Sequence, residues 1–223
     1  MTATPTTPID TSEMTTVHSL FRREFRLAGG VVRRVEPGDV RRARVVADHL
    51  DLLTRTLHHH HTGEDTYLWP FLMGKVGPEE RSTLEAMEAE HAQIDPGLQA
   101  CAAGFARLAK TADPDARAAL AVRLTAVREA LGRHLHHEES DTILLMQQVM
   151  TAEEWEEVDS HFKEGVTFGQ VLTLIPWVMH GVPAEARPQI YAHTGPAYRV
   201  LLALTRPRFD RLHRKAFKHL PGA

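Results

Sequence analysis

From Asp10 onward, apolar side chains recur every three or four residues, the period of an amphipathic helix. Met14, His18, Phe21, Phe25, Ala28 and Val32 make the first stripe, with Asp10, Thr11 or Ser12 placed to cap its start. Gly29-Gly30 weakens this helix by about 1 kcal/mol per glycine relative to alanine without ending it. Pro37-Gly38-Asp39 stops it and starts the next. The second stripe runs through Val45, His49, Leu53, Leu57, His60, Glu64 and Leu68, and Pro70 is expected to kink or end it. Gly77-Pro78, followed by Glu79 and Glu80, opens a third helix with the stripe Leu84, Met87, His91, Ile94 and Leu98. Pro96 should bend this helix without ending it, because the pattern continues to Lys110. Asp113-Pro114 opens a fourth, with Leu120, Leu124, Val127, Leu131, His134 and Glu138 on one face.

Thr151 to Glu154 is a capping box that begins a fifth, shorter helix. Beyond Gly165 the pattern predicts a helix over 166–180 despite Pro176, a loop over 181–188, and one or two helices over 191–219 broken by Pro196 and Pro207. No stretch sustains the alternation of a half-buried strand. The expected fold class is therefore all-α: an up-and-down four-helix bundle over 10–150, a helical C-terminal extension over 151–223, and a flexible N-terminal arm over 1–9.

Composition narrows the function. The 223 residues are 43% hydrophobic and 25% charged, which excludes disorder for most of the chain. A net charge of −3 argues against a dedicated nucleic-acid binder. No apolar run approaches the roughly 20 residues of a membrane span. Met1 to Thr7 has neither the charge nor the apolar segment of a signal peptide. The single cysteine, Cys101, permits no intrachain disulfide and is read as a core residue, so the cytoplasm is the expected location. Histidine is the anomaly, at fifteen residues against three tyrosines.

Each of the first four stripes carries one histidine: His18, His60, His91 and His134. Two of these are followed four residues later by a glutamate, giving His60/Glu64 and His134/Glu138. Positions i and i+4 sit one above the other, so each pair offers a nitrogen and a carboxylate to one point. Such pairs arise by chance in a histidine-rich chain; their weight comes from lying on inward stripes, where His and Glu are depleted. Height agrees as well. At about 1.5 Å per residue, His91 and His134 lie nearly equally far from the turn near Asp113, and the other two fall at a similar level in an up-and-down order.

Four imidazoles and two carboxylates buried together are costly without a counter-charge. A pair of divalent cations supplies it, with a bridging oxide or hydroxide removing further charge. Mixed nitrogen and oxygen donors suit Fe, with Mn or Zn as alternatives, and the absence of cysteine donors disfavours a structural zinc knuckle. Six protein ligands on two metals leave positions open for a small ligand.

The order His, then His-x-x-x-Glu, then His, then His-x-x-x-Glu resembles the hemerythrin-like (HHE cation-binding) family. The resemblance covers roughly residues 10–150 and is carried by 58–70 (HHHHTGEDTYLWP), 87–91 (MEAEH) and 134–139 (HLHHEE). It implies two non-haem iron ions joined as Fe-O-Fe or Fe-OH-Fe, with Glu64 and Glu138 bridging and His18, His60, His91 and His134 terminal. It also implies binding of, or reaction with, O2, NO or peroxide. Iron scavenging or sensing without turnover is the alternative, and whether the protein is an enzyme stays open. A cavity beside the metals, closed by 165–223, would be the cue for a redox enzyme. Oxygen-carrying members have a second histidine four residues after the first on the third helix; here that position is Asp95. Either Asp95 is a further ligand, or one iron is more open.

The remaining histidines have plainer readings. His58 and His59 belong to the rim or to solvent, since successive residues rotate by about 100°. His61 with Asp65 forms a pair on a neighbouring face, either solvated or supporting the ligands. His49 lies about 16 Å along the axis from His60 and reads as a hydrogen-bonded core residue. His136 and His137 read as surface, and Glu139 as turned off the inward face. From Arg206 to His219 six Lys/Arg oppose one Asp, a local charge of +5. That reads as the solvated face of a terminal helix, with contact to an anionic surface as the alternative. The expected partner is a small diatomic or peroxide ligand. Nucleic acid is not expected, and the sequence leaves the oligomeric state open.

Overall fold

The computed structural model describes residues 9–164 and 166–218. Most of the expected arm, residues 1–8, and His219 at the end of the basic tail lie outside the described residues. The described residues are helical, with no strand among them. Helix α1 spans Ser12–Arg33, its start held by the Asp10 carboxylate, which accepts from the Ser12 N–H at 2.9 Å. It runs through Gly29-Gly30. Helix α2 spans Val40–Gly63 behind an Asp39 cap. A π-helical turn, Glu64–Leu68, then joins α2 to α3 (Trp69–Met73). Pro70 comes just after the π turn, and the helix runs on through it to Met73 instead of ending there. Helix α4, Pro78–Thr111, continues through Pro96. Helix α5, Pro114–His137, starts on the Asp113 cap and passes through a second π-helical turn, Glu138–Thr142, into α6 (Ile143–Val149).

The C-terminal part begins with α7, Ala152–Phe162, on the expected capping box, and continues with α8, Phe168–Met179, on a second box made by Thr167 and Gln170. Helix α9 spans Arg187–Ala216 and differs from expectation at its prolines. The break falls at Gly195, whose φ of 72° only glycine adopts freely, immediately before Pro196; the helix passes Pro207 without interruption.

Packing follows the stripes. Helix α1 lies against α2 and α5, and α4 lies against α2 and α5, so the four long helices close a ring. Two apolar clusters fill that ring at different heights. One holds Leu20, Phe25, Leu50, Leu57, Leu98, Leu124 and Leu135. The other holds Met14, Leu68, Trp69, Leu84, Met87 and Met146. Fully burying each such side chain stabilises the fold by about 1.5–3 kcal/mol. The histidine level lies between the two clusters, so the polar layer is walled by hydrocarbon above and below.

Helix α8 packs on α9 and α1, and α9 packs on α2. Phe209, Ala216 and Phe217 of α9 are buried, whereas Arg208, Arg211, Arg214 and Lys215 are exposed. The basic run is thus the outer face of a docked helix. Arg42 of α2 donates to the carbonyls of Lys215, Ala216 and Lys218, satisfying the unpaired acceptors at the end of α9. No helix among the described residues is long and apolar enough to cross a membrane.

Cys101 lies in the first apolar cluster with no exposed surface, and burial pushes its thiol up to about 11. Because the thiolate is the reactive form, maleimide labelling at neutral pH should be negligible in the folded protein and complete after unfolding. Labelling at the rate of a free thiol in the folded protein would contradict this packing.

Candidate metal centre

All six predicted residues are buried and come together. His18 enters from α1, His60 from the last turn of α2, His91 from α4 and His134 from the last turn of α5. Glu64 and Glu138 are the first residues of the two π-helical turns. A π turn adds a residue to the helical circuit and shifts every later side chain around the axis, and such turns concentrate at functional sites. Each glutamate therefore sits where its helix re-registers, and the stripe below the polar layer is offset from the stripe above it.

Two facing sets of donor atoms result. His18, His60, Glu64 and Glu138 form one group able to hold a metal ion, and His61, His91 and His134 form another. Glu64 spans them, with one oxygen 3.2 Å from His60 Nε2 and the other 3.4 Å from His91 Nε2. Glu138 Oε2 lies 3.3 Å from His18 Nε2 and 3.7 Å from His134 Nε2. The Nε2 atoms of His18 and His60 are 3.1 Å apart, as are those of His91 and His134.

His61 corrects the sequence reading. It is fully buried, stacks on His91 at a centroid distance of 4.0 Å, and has no partner for Nε2. The carboxylates around it are also redistributed. Asp95 accepts from His61 Nδ1 at 3.1 Å and from His58 Nδ1 at 3.0 Å, so it stands behind the cluster and not in it. Asp65, four residues after His61, instead accepts from His91 Nδ1 at 2.7 Å. Glu90 accepts from His134 Nδ1 at 3.0 Å and His137 Nδ1 at 2.9 Å. Glu139, expected to point away, accepts from His18 Nδ1 at 2.9 Å and forms a two-point pair with Arg22. His58 and His59 are exposed at the rim, as expected.

These outer carboxylates fix the chemistry of the inner nitrogens. An imidazole that donates Nδ1–H to a carboxylate presents a bare lone pair at Nε2, the arrangement found behind metal-bound histidines. His18, His61, His91 and His134 all have such a partner. The Nε2 lone pairs of His91 and His134 then face each other at 3.1 Å, a repulsive contact unless a cation or proton lies between them. Both oxygens of Glu64 and both of Glu138 are buried without hydrogen-bond partners. Unpartnered buried carboxylates are costly, and the donor set fits a pair of divalent cations.

Ionisation agrees. Burial, and then the neighbouring imidazoles, push His60 and His61 well below the ordinary histidine value. Burial also lowers His134, against the pull of Glu138. Burial and the adjacent Glu138 push Glu64 well above the ordinary carboxyl value. Burial opposes the ionisation of Glu139, but His18 and Arg22 outweigh it and hold that carboxyl at about 2. His60, His61 and His134 thus resist protonation, while Glu90 and Glu139 behind the layer are held anionic.

A cavity of about 440 Å³ adjoins the centre at His60. Val17 and Phe21 of α1 form one wall, and Leu174 and Val178 of α8 form the other. His60 is the most exposed of the seven clustered side chains, at 8%.

The sequence model of the family described as hemerythrin HHE cation binding domain matches residues 10–143. No curated protein and no solved structure gives a significant match.

Proposed function

The chain belongs to the hemerythrin HHE cation-binding family, and from that membership we propose a non-haem di-iron protein that binds or reacts with O2 or a related small ligand such as peroxide or NO. In this reading residues 10–150 form an up-and-down four-helix bundle, and α7 and α8 of the helical extension close the ligand compartment. His18 and His60 would serve one iron and His61, His91 and His134 the other, with Glu64 and Glu138 shared. The observation that carries the reading is the convergence of outward-anchored imidazoles on two carboxylates that no protein donor satisfies.

When bound, an iron pair supplies electrons and open coordination positions for a small ligand. The chain supplies the rest. Asp65, Glu90, Asp95 and Glu139 hold the ring orientations and make the Nε2 atoms better donors. Arg22 holds Glu139 in place. Trp69, Met87 and Phe21 exclude water around the polar layer. The mostly apolar cavity at His60 gives a small uncharged ligand its route, a feature that metal storage alone would not need.

The route can be tested separately from the metal. Val178→Trp narrows the cavity from its α8 wall and replaces none of the clustered side chains. It should slow reaction of the reduced, iron-loaded protein with O2 or peroxide by about tenfold or more, roughly 1.4 kcal/mol of barrier, while iron content stays unchanged. Stopped-flow absorbance reads the rate. An unchanged rate at full iron content would place the ligand route elsewhere.

A further inference from the structure

A second group of metal-capable side chains lies outside the centre described above. Glu24 of α1, His49 of α2 and His213 of α9 bring their ligand atoms within 4.8 Å of one another. His49 is eleven residues before His60, about 16 Å along the helix axis, so the two groups cannot share an ion. The expectation that His49 is a hydrogen-bonded core histidine holds in part: its Nε2 lies 2.9 Å from Glu24 Oε2. His213 does not fit that account. Its side chain is 5% exposed and its Nε2 lies 3.6 Å from Glu24 Oε1, too far for a hydrogen bond, with no other partner.

We propose that Glu24, His49 and His213 form a mononuclear site for a divalent transition metal of the zinc class, which fastens the C-terminal helix α9 to α1 and α2. Ligand atoms bound at 2.0–2.1 Å in a tetrahedron stand about 3.3 Å apart. The separations of 2.9 Å from His49 Nε2 to Glu24 Oε2 and 3.6 Å from His213 Nε2 to Oε1, one on each oxygen of the carboxylate, lie on either side of that spacing. Two imidazoles and one carboxylate are a common three-ligand zinc set, with water in the fourth position. The surroundings are built for it. Trp177 and Phe217 are buried and lie against His49 at ring-centroid distances of 5.4 and 4.9 Å. Arg23 orients the Glu24 carboxylate by donating to Oε1, the oxygen nearer His213, at 3.1 Å, and donates to the carbonyls of Trp177 and His180 at the end of α8. The site therefore joins the bundle to α8 and α9 of the extension, and α8 forms one wall of the ligand cavity.

The test uses the full-length, iron-loaded protein, dialysed against Zn2+ and analysed for both metals. The wild type should take up one zinc per chain with its iron retained. His213→Gln and His49→Gln, on different helices, should each lose that equivalent and keep both helicity and iron. Zinc should raise the unfolding temperature of the wild type and slow proteolysis within α9, and should do neither in the variants. Co2+ at one equivalent should give the strong visible absorption of four-coordinate cobalt in the wild type, a readout that does not depend on any variant folding. No zinc uptake by the wild type, equal uptake by the variants, or only six-coordinate Co2+ would overturn the proposal. Iron content, read in the same samples, separates that failure from a failure of the di-iron reading.

Discussion

Removing the metal from the iron-loaded protein should lower its unfolding temperature by on the order of 10 °C, and His60→Ala/His134→Ala, which takes one histidine from each donor set, should abolish the dependence of that temperature on iron. The physical basis is the layer between the two apolar clusters. Without cations, Nε2 lone pairs face each other at 3.1 Å and four carboxylate oxygens are buried without donors. A ligand that binds only the folded state, present at a thousand times its dissociation constant, stabilises by about 4 kcal/mol. For a chain of this length each kcal/mol moves the midpoint by about 2–4 °C. Calorimetry with and without a chelator gives the difference. The double variant is also destabilised by lost packing, so the informative quantity is its response to iron and not its absolute midpoint. Equal midpoints for the metal-free and iron-loaded wild type would mean that the polar layer is satisfied by something other than metal.

Glu64→Gln should act with opposite sign on the two forms. In the metal-free protein Glu64 is a buried carboxyl pushed well above its ordinary value, first by burial and then by Glu138. Glutamine keeps the shape, is neutral without taking up a proton and supplies an N–H2 donor to the orphaned Glu138 oxygens. Relieving an unsatisfied buried group is worth about 1–3 kcal/mol, so metal-free Glu64→Gln should unfold several degrees above metal-free wild type. In the presence of iron the order should reverse, because a neutral amide is a poor bridge and metal content should fall by at least half. Parallel melting curves of the two proteins, each with and without iron, decide it. Destabilisation of the metal-free form would mean that the Glu64 carboxyl makes an interaction in the folded protein that an amide cannot replace.

Much of this was legible in the sequence because helices advertise themselves locally. The capping box at Thr151, the Asp39 and Asp113 caps and the stripes through His18, His60, His91 and His134 are short-range signals, and the elements form where those signals lie. A stripe with one inward residue per turn places His60 inside and His61 on a neighbouring face. In a closed ring of four helices, α2 touches both α1 and α4, so two adjacent residues on it can both face the interior. The π turns at Glu64 and Glu138 leave no mark in composition, since they are changes of hydrogen-bond register imposed by packing. The outer carboxylates escape local reading for a related reason. Spacing along one helix pairs His61 with Asp65, whereas in three dimensions His61 takes Asp95 from α4 and His91 takes Asp65. Glu24 and His213 are far apart in the chain, and no local pattern relates them.

The measurement that bears most directly on the central claim is iron per chain, by elemental analysis after anaerobic reconstitution with Fe(II) and desalting, in wild type and in His60→Ala/His134→Ala. The account predicts two irons per chain in the wild type and little retained iron in the variant, because one histidine is removed from each donor set. One iron or fewer in the wild type, or iron equally retained by the variant, would contradict a di-iron centre held by these residues.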